Sequence, residues 1–338
     1  MASKTFAAFI WSVAFLGGPA LFIALFINPF TTWIACLLFV RAKFDKTPYI
    51  GGYQNGIMKK ASNWYRGLAI WKQFRKYFPS NIVVKGKLDK NSKYLFSYHP
   101  HGILGVGVFS QFVYDYPHLK ELPKIRPVTL NLVFSIPFMR TLALLSGIIS
   151  CEYESLKHVL MGKHLKRGDP PESLLLVTGG AHEAQFTRPG TLTVAVNNKS
   201  GFIRLCMETN TKLVPVIAFG ENDAFYIFCE EDCKNQLLKY SFKILAKVQT
   251  FLRKNFGFSL VYLYGDPAIP FLPFPFNIPI LPRPVPVTVV VGDPISVPQS
   301  SNPTRQQIES VKDEFKSQIS ALAVEHGKPF GITTVNFE

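Results

Sequence analysis

Tyr94-Leu95-Phe96-Ser97-Tyr98-His99-Pro100-His101-Gly102 is an apolar run that ends in two histidines around a proline. Its first part is typical of a buried strand, and the glycine favours a tight turn after it. In α/β proteins, strand ends that lead into helices are where chemistry is placed. Histidine is the side chain whose ordinary pKa allows proton exchange near neutral pH. The stretch therefore predicts an acid–base site at a strand end; the alternative is two histidines that only satisfy a loop.

Other apolar, β-branched or aromatic runs repeat the pattern of this strand, at residues 128–134, 174–178, 213–219, 259–264 and 287–291. Longer helical stretches separate most of them, which predicts an α/β fold with a mainly parallel sheet flanked by helices. Residues 303–326 are predicted to form a polar helix. Residues 266–286 are rich in proline and phenylalanine, which excludes helix and central strand and indicates a hydrophobic flap.

The amino-acid composition limits the kinds of partner that the protein is expected to bind. The 338 residues are 48% hydrophobic and 17% charged, and the formal net charge is +15. A typical soluble domain carries about 25% charged residues, so a large apolar surface is expected to face something other than water. Strong positive charge favours nucleic acid, anionic membrane or phosphorylated small molecules. No nucleic-acid-binding motif occurs in the sequence, which favours an anionic membrane or phosphorylated small molecules as partners. The five scattered cysteines indicate a reducing, cytosol-facing body.

The N-terminal region predicts membrane attachment. Residues 6–27 are uncharged and almost wholly apolar, about the length that crosses a bilayer. Gly17-Gly18-Pro19 should kink this helix, Asn28-Pro29 should form a turn, and residues 33–40 are apolar again. Residues 1–43 are therefore predicted to form a membrane-embedded helical hairpin that enters and leaves on one side and that would also suit a lipid monolayer. A signal peptide is the main alternative.

Residues 44–80 are predicted to form an amphipathic interfacial segment before a catalytic domain at 81–338. Within it, residues 57–77 combine tryptophans with lysines and arginines, a composition suited to lipid headgroups. A helix packed on the domain core is equally compatible with this pattern. Residues 232–255 repeat the basic and apolar stripes and leave the same alternatives open.

A second glycine-rich strand end is Thr178-Gly179-Gly180-Ala181-His182-Glu183-Ala184. Glycines at this position allow tight turning and close backbone approach to a ligand. Glu183 is placed to come near another strand-end group, although a glutamate taken alone is more often a surface residue. The sequence therefore favours a shared site between His101 and Glu183.

Several blocks, in order, carry a resemblance to a known family. They are Tyr77-Phe78-Pro79, the His-Pro-His-Gly block ending at Gly102, the Gly-Gly-Ala-x-Glu-Ala block at 179–184, Arg188-Pro189-Gly190, the Lys-x-Gly-Phe block at 199–202, Leu213-Val214-Pro215-Val216 and Phe219-Gly220-Glu221. Together with the apolar hairpin and the C-terminal Val-Gly-Asp-Pro-Ile segment (291–295), they make nearly the whole chain resemble the diacylglycerol O-acyltransferase 2 family, which includes monoacylglycerol acyltransferases and wax synthases.

The resemblance implies a membrane-anchored glycerolipid-acyltransferase-like domain that transfers a fatty acyl group from acyl-CoA to a lipid hydroxyl, with His101 catalytic. The residue chemistry agrees, because a neutral imidazole can deprotonate a hydroxyl that then attacks a thioester. A helix starting at Gly102, with Pro100 in its first turn, would keep this imidazole neutral. His99 is expected to support the turn and Glu183 to orient His101. Related acyltransferases carry an aspartate where this chain has Val106.

The expected catalytic residues are thus His101, His99 and Glu183. Cationic side chains near the site are candidates for the CoA phosphates, and polar or glycine positions at strand ends complete the predicted substrate site. The predicted substrate-binding residues are Gly102, Asn131, Gly179, Gly180, Arg188, Lys199 and Arg204. Acyl-CoA is expected as a co-substrate, with no other cofactor and no metal.

The acceptor stays open at this point. Diacylglycerol is favoured, while monoacylglycerol and long-chain alcohols present the same hydroxyl. Two readings from other classes are a non-catalytic lipid-droplet scaffold, which does not explain the histidines and Glu183, and a metal-dependent lipid hydrolase, which lacks nearby acidic ligands. The family implies location at the endoplasmic reticulum membrane, with the lipid droplet as an alternative location. The oligomeric state is left open, with a homo-oligomer as one alternative.

Overall fold

The computed structural model describes residues 2–227, 240, 246–251, 263–265 and 281–338. The helices in this part of the chain are α1 (Ala2–Ala24), α2 (Pro29–Phe44), α3 (Gly56–Arg66), α4 (Ala69–Tyr77), α5 (Val106–Val108), α6 (Asn131–Ser135), α7 (Pro137–Leu145), α8 (Tyr153–Leu160), α9 (Gly180–Ala184), α10 (Gly201–Thr209) and α11 (Arg305–His326). The strands are β1 (Asn81–Val84), β2 (Tyr94–His99), β3 (Lys124–Thr129), β4 (Ile149–Ser150), β5 (Glu172–Leu176), β6 (Thr193–Val194), β7 (Lys212–Phe219), β8 (Tyr226–Ile227), β9 (Leu263–Tyr264), β10 (Thr288–Val291) and β11 (Asn336–Phe337).

The main sheet has seven strands in the order β1-β10-β7-β2-β5-β3-β4. Strand β2 lies at its centre and pairs in parallel with β5 and β7, so that Phe96 is opposite both Leu175 and Val214. The pairings β3–β5, β3–β4 and β1–β10 are also parallel, and β10 pairs antiparallel with β7. The predicted α/β fold with a mainly parallel sheet flanked by helices is confirmed.

Alternation along β2 separates two cores. Tyr94, Phe96 and Tyr98 point into a core that also holds residues of α1 and α4. Leu95 points into the opposite core, which is covered by α8, α10 and α11. Because successive side chains of a strand point to opposite faces, His99 shares the face of Leu95. The carboxyl end of β2 therefore delivers His99 toward the layer that contains α11.

Strand predictions were accurate for β7 and β10 and less so elsewhere. The run 128–134 was predicted as one strand, yet β3 ends at Thr129 and α6 starts at Asn131. This apolar run is divided between a strand and a helix that packs on α7. Tertiary contacts determine where the strand ends, and a short apolar run does not distinguish strand from helix. The strand predicted at 174–178 starts and ends two residues earlier, since β5 covers Glu172–Leu176.

Two helical predictions are refined. The predicted polar helix is α11, but it buries an apolar stripe of Ile308, Val311, Phe315 and Ile319 against the sheet. In the interfacial segment, α4 buries Trp71 and Phe74 in the core, whereas Trp64 of α3 is 68% exposed. Residues 266–280 and most of 232–255 and 259–264 lie outside the described residues, so predictions there are untested.

The N-terminal region forms two consecutive helices, α1 and α2, where the sequence predicts a hairpin. Asn28 caps α2 by accepting a hydrogen bond from the Phe30 N–H at 2.9 Å, and Pro29 occupies the first helical turn, as Asn-Pro favours. Within the described residues, no single helix is both long and apolar enough to span a bilayer, whereas Ser3–Ala14 and Gly17–Ala24 meet this criterion as a pair bent by 44°. The bend lies at the predicted Gly-Gly-Pro kink.

The two arms of the hairpin have different surroundings. In α1, Trp11 is fully buried, with its ring centroid 5.0 Å from Phe74 and 5.3 Å from Phe109. In α2, Phe30 and Trp33 are 85% and 80% exposed. Helix α1 therefore contributes Trp11 to the core of the domain, and α2 presents an apolar surface outward.

Trp11→Ala is expected to destabilise the fold, because it removes a fully buried aromatic ring at a cost of about 3–5 kcal/mol. Trp33→Ala is the matched control, since its ring is exposed. Thermal unfolding of the purified protein in detergent micelles would measure both. Equal melting temperatures for the two variants would contradict the packing of α1 described above.

Candidate active site

The chain leaves β2 through a turn rather than a helix. The His99–Pro100 peptide bond is cis, His101 and Gly102 follow in a turn, and α5 starts only at Val106, after Gly105 in the left-handed conformation. The expectation of a helix that starts at Gly102, with Pro100 in its first turn, is wrong. A positive φ of 56° at Gly102 excludes continuous helix at that residue and suits glycine. The neutrality of His101 therefore needs another cause than a helix terminus.

The carboxylate of Glu183 connects three segments of the site. Its Oε2 lies 2.8 Å from Nδ1 of His99 and accepts a hydrogen bond from the Ala195 N–H at 3.0 Å. Its Oε1 accepts from the His101 backbone N–H at 2.6 Å. Burial raises the pKa of Glu183, but the electrostatic interaction with His99 and the hydrogen bonds that the carboxylate accepts outweigh this effect, so the pKa falls below its ordinary value. Glu183 is thus a buried, ionised carboxylate.

His99 is enclosed on all sides by the protein and is 0% exposed. Its Nε2 lies 2.7 Å from Oγ1 of Thr178 and 3.1 Å from Oγ of Ser97, and its ring centroid is 5.9 Å from that of Phe315. Both ring nitrogens therefore have protein partners. His99 cannot reach a substrate in this arrangement, which agrees with the predicted supporting role.

His101 is partly exposed, and its hydrogen bonding selects a tautomer. Its Nδ1 lies 2.9 Å from the carbonyl oxygen of Gly102. A carbonyl oxygen only accepts, so Nδ1 carries the hydrogen and Nε2 keeps its lone pair. Burial lowers the pKa of His101 below its ordinary value, against a raising effect of the Gly102 carbonyl and Glu183. The outcome is a neutral imidazole with an available acceptor nitrogen.

The predicted link between Glu183 and His101 exists, but in another form. The carboxylate bonds to the backbone of His101 and to the ring of His99, not to the ring of His101. The prediction that Glu183 orients the imidazole of His101 directly is wrong in this detail. Glu183 instead fixes the position of the turn from which the His101 side chain extends.

The glycines at the site are required by close packing. A Cβ on Gly179 would overlap with the carboxylate of Glu183, and a Cβ on Gly102 would lie 2.6 Å from Cγ of Glu221. Gly180 has a φ of 55°, and a Cβ there would lie 3.7 Å from Nζ of Lys199. The predicted glycines therefore shape the backbone around the carboxylates, which explains why this residue type occurs in both blocks.

A second buried carboxylate, Glu221, holds the far side of the His101 turn. It accepts hydrogen bonds from the Tyr98 hydroxyl at 2.9 Å and from the N–H groups of Val106 and Gly107, both at 2.7 Å. Burial raises the pKa of Glu221 to about 7, although these donors act in the opposite direction. Glu221 therefore ties the end of β7 to the start of α5.

Sequence reasoning assigned no role to Ser97, Thr178 or Glu221, although all three lie in stretches that it singled out. Ser97 is two residues before His99, and the period of two along a strand places both on one face. Thr178 directly precedes the Gly-Gly pair, and Glu221 follows the end of β7. These spacings were the available signal, but nothing in them specified hydrogen bonding to His99 or to α5.

The remaining predicted substrate residues are distributed more widely. Lys199 lies at the site, since its Nζ donates to the carbonyl oxygens of Thr178 and Gly179. Arg188 donates to the carbonyl of Thr187 at 2.8 Å. Asn131 follows β3 at the same sheet edge but bonds to Ser150 and Glu152. Arg204 is exposed on α10. Only Lys199, Gly102, Gly179 and Gly180 thus join the two histidines and Glu183.

Comparison with known proteins identifies the family. The model of the diacylglycerol acyltransferase family matches residues 29–336. The 2-acylglycerol O-acyltransferase 1 of Bos taurus is 32% identical over 90% of this chain and 82% of that protein. The diacylglycerol O-acyltransferase 2 of Homo sapiens is 29% identical over 95% of this chain and 78% of that protein.

One solved structure is also similar at a low level. The 1-acyl-sn-glycerophosphate acyltransferase PlsC from Thermotoga maritima overlays with a TM-score of 0.36 and 10% identity, over 91% of this chain and 97% of that one. The family of this chain is shown by the sequence matches. The chain belongs to the diacylglycerol acyltransferase family and is an acyltransferase.

Proposed function

We propose that the protein esterifies diacylglycerol to triacylglycerol with acyl-CoA as the acyl donor and His101 as the general base. The observation that carries this proposal is the contrast between the two histidines. His99 is fully enclosed, whereas His101 is partly exposed with Nδ1 bonded to Gly102 and Nε2 as the acceptor. Family membership supplies the reaction class, and this geometry supplies the base.

The reaction needs one proton transfer and one acyl transfer. Nε2 of His101 accepts the proton of the acceptor hydroxyl while the hydroxyl oxygen forms a bond to the thioester carbonyl carbon. The carbon–sulfur bond then breaks, and the CoA thiolate leaves with the electron pair and takes up a proton from the imidazolium. General-base catalysis of this kind contributes about 10²–10⁴-fold. His99 and Glu183 position the turn and do not contact the substrate.

A second acceptor, monoacylglycerol, is supported by a specific observation. The relative from Bos taurus named as a 2-acylglycerol O-acyltransferase is 32% identical to this chain, against 29% for the human diacylglycerol O-acyltransferase 2. Both acceptors present a hydroxyl to the same base, as does a long-chain alcohol. Initial rates with a panel of diacylglycerol, 2-monoacylglycerol and hexadecanol would distinguish the three.

We further propose that the hairpin of α1 and α2 attaches a cytosol-facing catalytic domain to the endoplasmic reticulum membrane or to a lipid-droplet monolayer. The support is the apolar surface of α2 and of the segment before it, where Ile27, Phe30 and Trp33 are about 80% exposed or more. Arg41 and Lys43 follow at the end of α2, where cations suit anionic headgroups. The division at residues 43 and 80 remains a proposal.

Acyl-CoA is proposed as the co-substrate without a further cofactor, and Arg188, Lys199 and Arg204 remain candidates for its phosphates. Lys199 has the strongest support, because its ammonium group lies at the Gly179 carbonyl beside the catalytic turn. A purified enzyme that loses activity with a chelator would favour the metal-dependent alternative. A protein without transfer activity on any acceptor would favour the scaffold.

His101→Ala is expected to reduce acyl transfer by at least about 10²-fold without unfolding the protein, since it removes the base and leaves Glu183 bonded to the backbone N–H. His158→Ala on α8 is the matched control and should keep full activity. Transfer of a labelled acyl group from acyl-CoA measures both variants. Full activity of the His101 variant would contradict the mechanism.

Glu183→Gln is expected to lower kcat about 10²-fold, because it removes the charge that fixes His99 and the His101 turn, and small displacements of a base are that costly. KM should change much less, since the carboxylate does not contact the substrate. Glu325→Gln, which alters an exposed ion pair with Lys85, is the control. An effect confined to KM would contradict the positioning role.

The pH profile should follow the lowered pKa of His101. The base acts in its neutral form, so kcat/KM should fall as the pH is lowered through the pKa of His101, with a midpoint below the ordinary histidine value of about 6.5. A raised pKa would give the same acid-side loss with its midpoint above 6.5, and that result would contradict the expectation. Rates from pH 5 to 9, with control of protein integrity at each pH, test this expectation.

A further inference from the structure

A cavity of about 360 Å³ lies between the first turns of α10 and α11. Its lining contains Arg204, Arg305 and Lys312, with Glu309 as the one carboxylate, and asparagine and serine side chains from residues 197–200. Three cations against one carboxylate give the cavity a positive charge at neutral pH. A concave, polar and cationic surface suits a phosphorylated ligand.

The buried side chain of Lys312 at the base of this cavity is held in place by two hydrogen-bond partners. Lys312 is 3% exposed, and its Nζ donates to Oε1 of Glu309 at 2.8 Å and to the carbonyl of Asn197 at 3.0 Å. Lys312 thus neutralises Glu309. The exposed guanidinium groups of Arg204 and Arg305 then dominate the mouth of the cavity, and guanidinium groups bind phosphate oxygens in a bidentate manner.

The cavity is connected to the catalytic turn through the chain. Lys199 lies between the cavity-lining Asn198 and Ser200, and its ammonium group bonds to the carbonyl of Gly179 in the site. On the other side, Phe315 lies one turn after Lys312 on α11 and packs against the ring of His99, 5.9 Å away. Both walls of the cavity therefore continue to the residues that hold His101.

The cavity and helix α1, the first helix of the predicted hairpin, are on opposite faces of the sheet. Helix α1 packs in the core with Tyr98, whereas α10 and α11 pack in the core with Leu95. A ligand in the cavity therefore approaches from the side away from the apolar hairpin. Acyl-CoA is amphipathic in the matching sense, with an apolar acyl chain at one end and a water-soluble phosphorylated nucleotide at the other.

We propose that the cavity between α10 and α11 binds the phosphorylated nucleotide end of acyl-CoA, with Arg305 and Arg204 on its phosphate oxygens. This assignment rests on the proposed function, and it adds Arg305 and Lys312 to the substrate site. The acyl-bearing end extends along Lys199 to the turn of His101. The nucleotide is thereby held on the aqueous side while the lipid acceptor arrives from the membrane side.

The test uses the full-length protein in detergent micelles with adenosine 3′,5′-bisphosphate as the probe. Arg204→Gln combined with Arg305→Gln should weaken binding of this probe by at least about 10-fold, because the loss of even one charge-assisted hydrogen bond has an effect of that size. The KM for acyl-CoA should rise in parallel. Lys166→Gln combined with Arg167→Gln removes two cations from an exposed segment before β5 and is the control for net charge. Calorimetric titration measures binding, and initial rates measure KM.

Each outcome decides between the inferences. Unchanged binding in the double variant, or no binding by the wild type, overturns the cavity assignment whether or not transfer occurs. Inorganic phosphate that binds as tightly as the bisphosphate overturns the nucleotide assignment. A wild type that binds the bisphosphate through both arginines but transfers no acyl group supports the cavity and refutes the proposed function.

Discussion

The buried carboxylate of Glu183 is the contact on which the site depends. It joins the ring of His99 at the end of β2, the backbone of His101 in the following turn and the N–H of Ala195 after β6. A buried charge that loses its partners costs several kcal/mol, so these segments have one favourable arrangement. Gly179 belongs to the same requirement, because any side chain there would occupy the space of the carboxylate.

Strand β2, which carries His99 at its carboxyl end, lies at the centre of the sheet. The side chains of Tyr98 and His99 point to opposite faces, so one strand end reaches both the core beneath the hairpin and the core beneath α11. Helix α2, which exposes apolar side chains, contacts α7, and α7 packs in the first core, whereas the cationic cavity of Arg204 and Arg305 adjoins the second core. Under the proposed function, an amphipathic donor and an apolar acceptor would then meet at the strand end from opposite faces of the sheet.

The sequence was sufficient for features that depend on local pattern and insufficient for those that depend on tertiary contacts. Apolar runs identified β7 and β10, and a turn was predicted at Asn28-Pro29, where α2 starts. The run at 128–134 was misread because a short apolar run does not distinguish a strand from a helix. The partner of Glu183 was misassigned for a related reason. Its proximity to the histidines was predictable from the strand ends. Whether its carboxylate bonds to the ring or to the backbone of His101 is decided by the turn at Gly102, which the sequence did not specify.

The His101 turn lies between two carboxylates that are equally buried but differ in ionisation. Burial raises the pKa of both, so the partners decide the outcome. Glu183 faces a histidine ring that can carry charge, and its pKa falls; Glu221 faces the Tyr98 hydroxyl and two amides, and its pKa rises to about 7. Both hold the turn through backbone N–H groups rather than through the His101 ring. The His101 side chain is thus positioned by its main chain, and its Nε2 stays available as a hydrogen-bond acceptor.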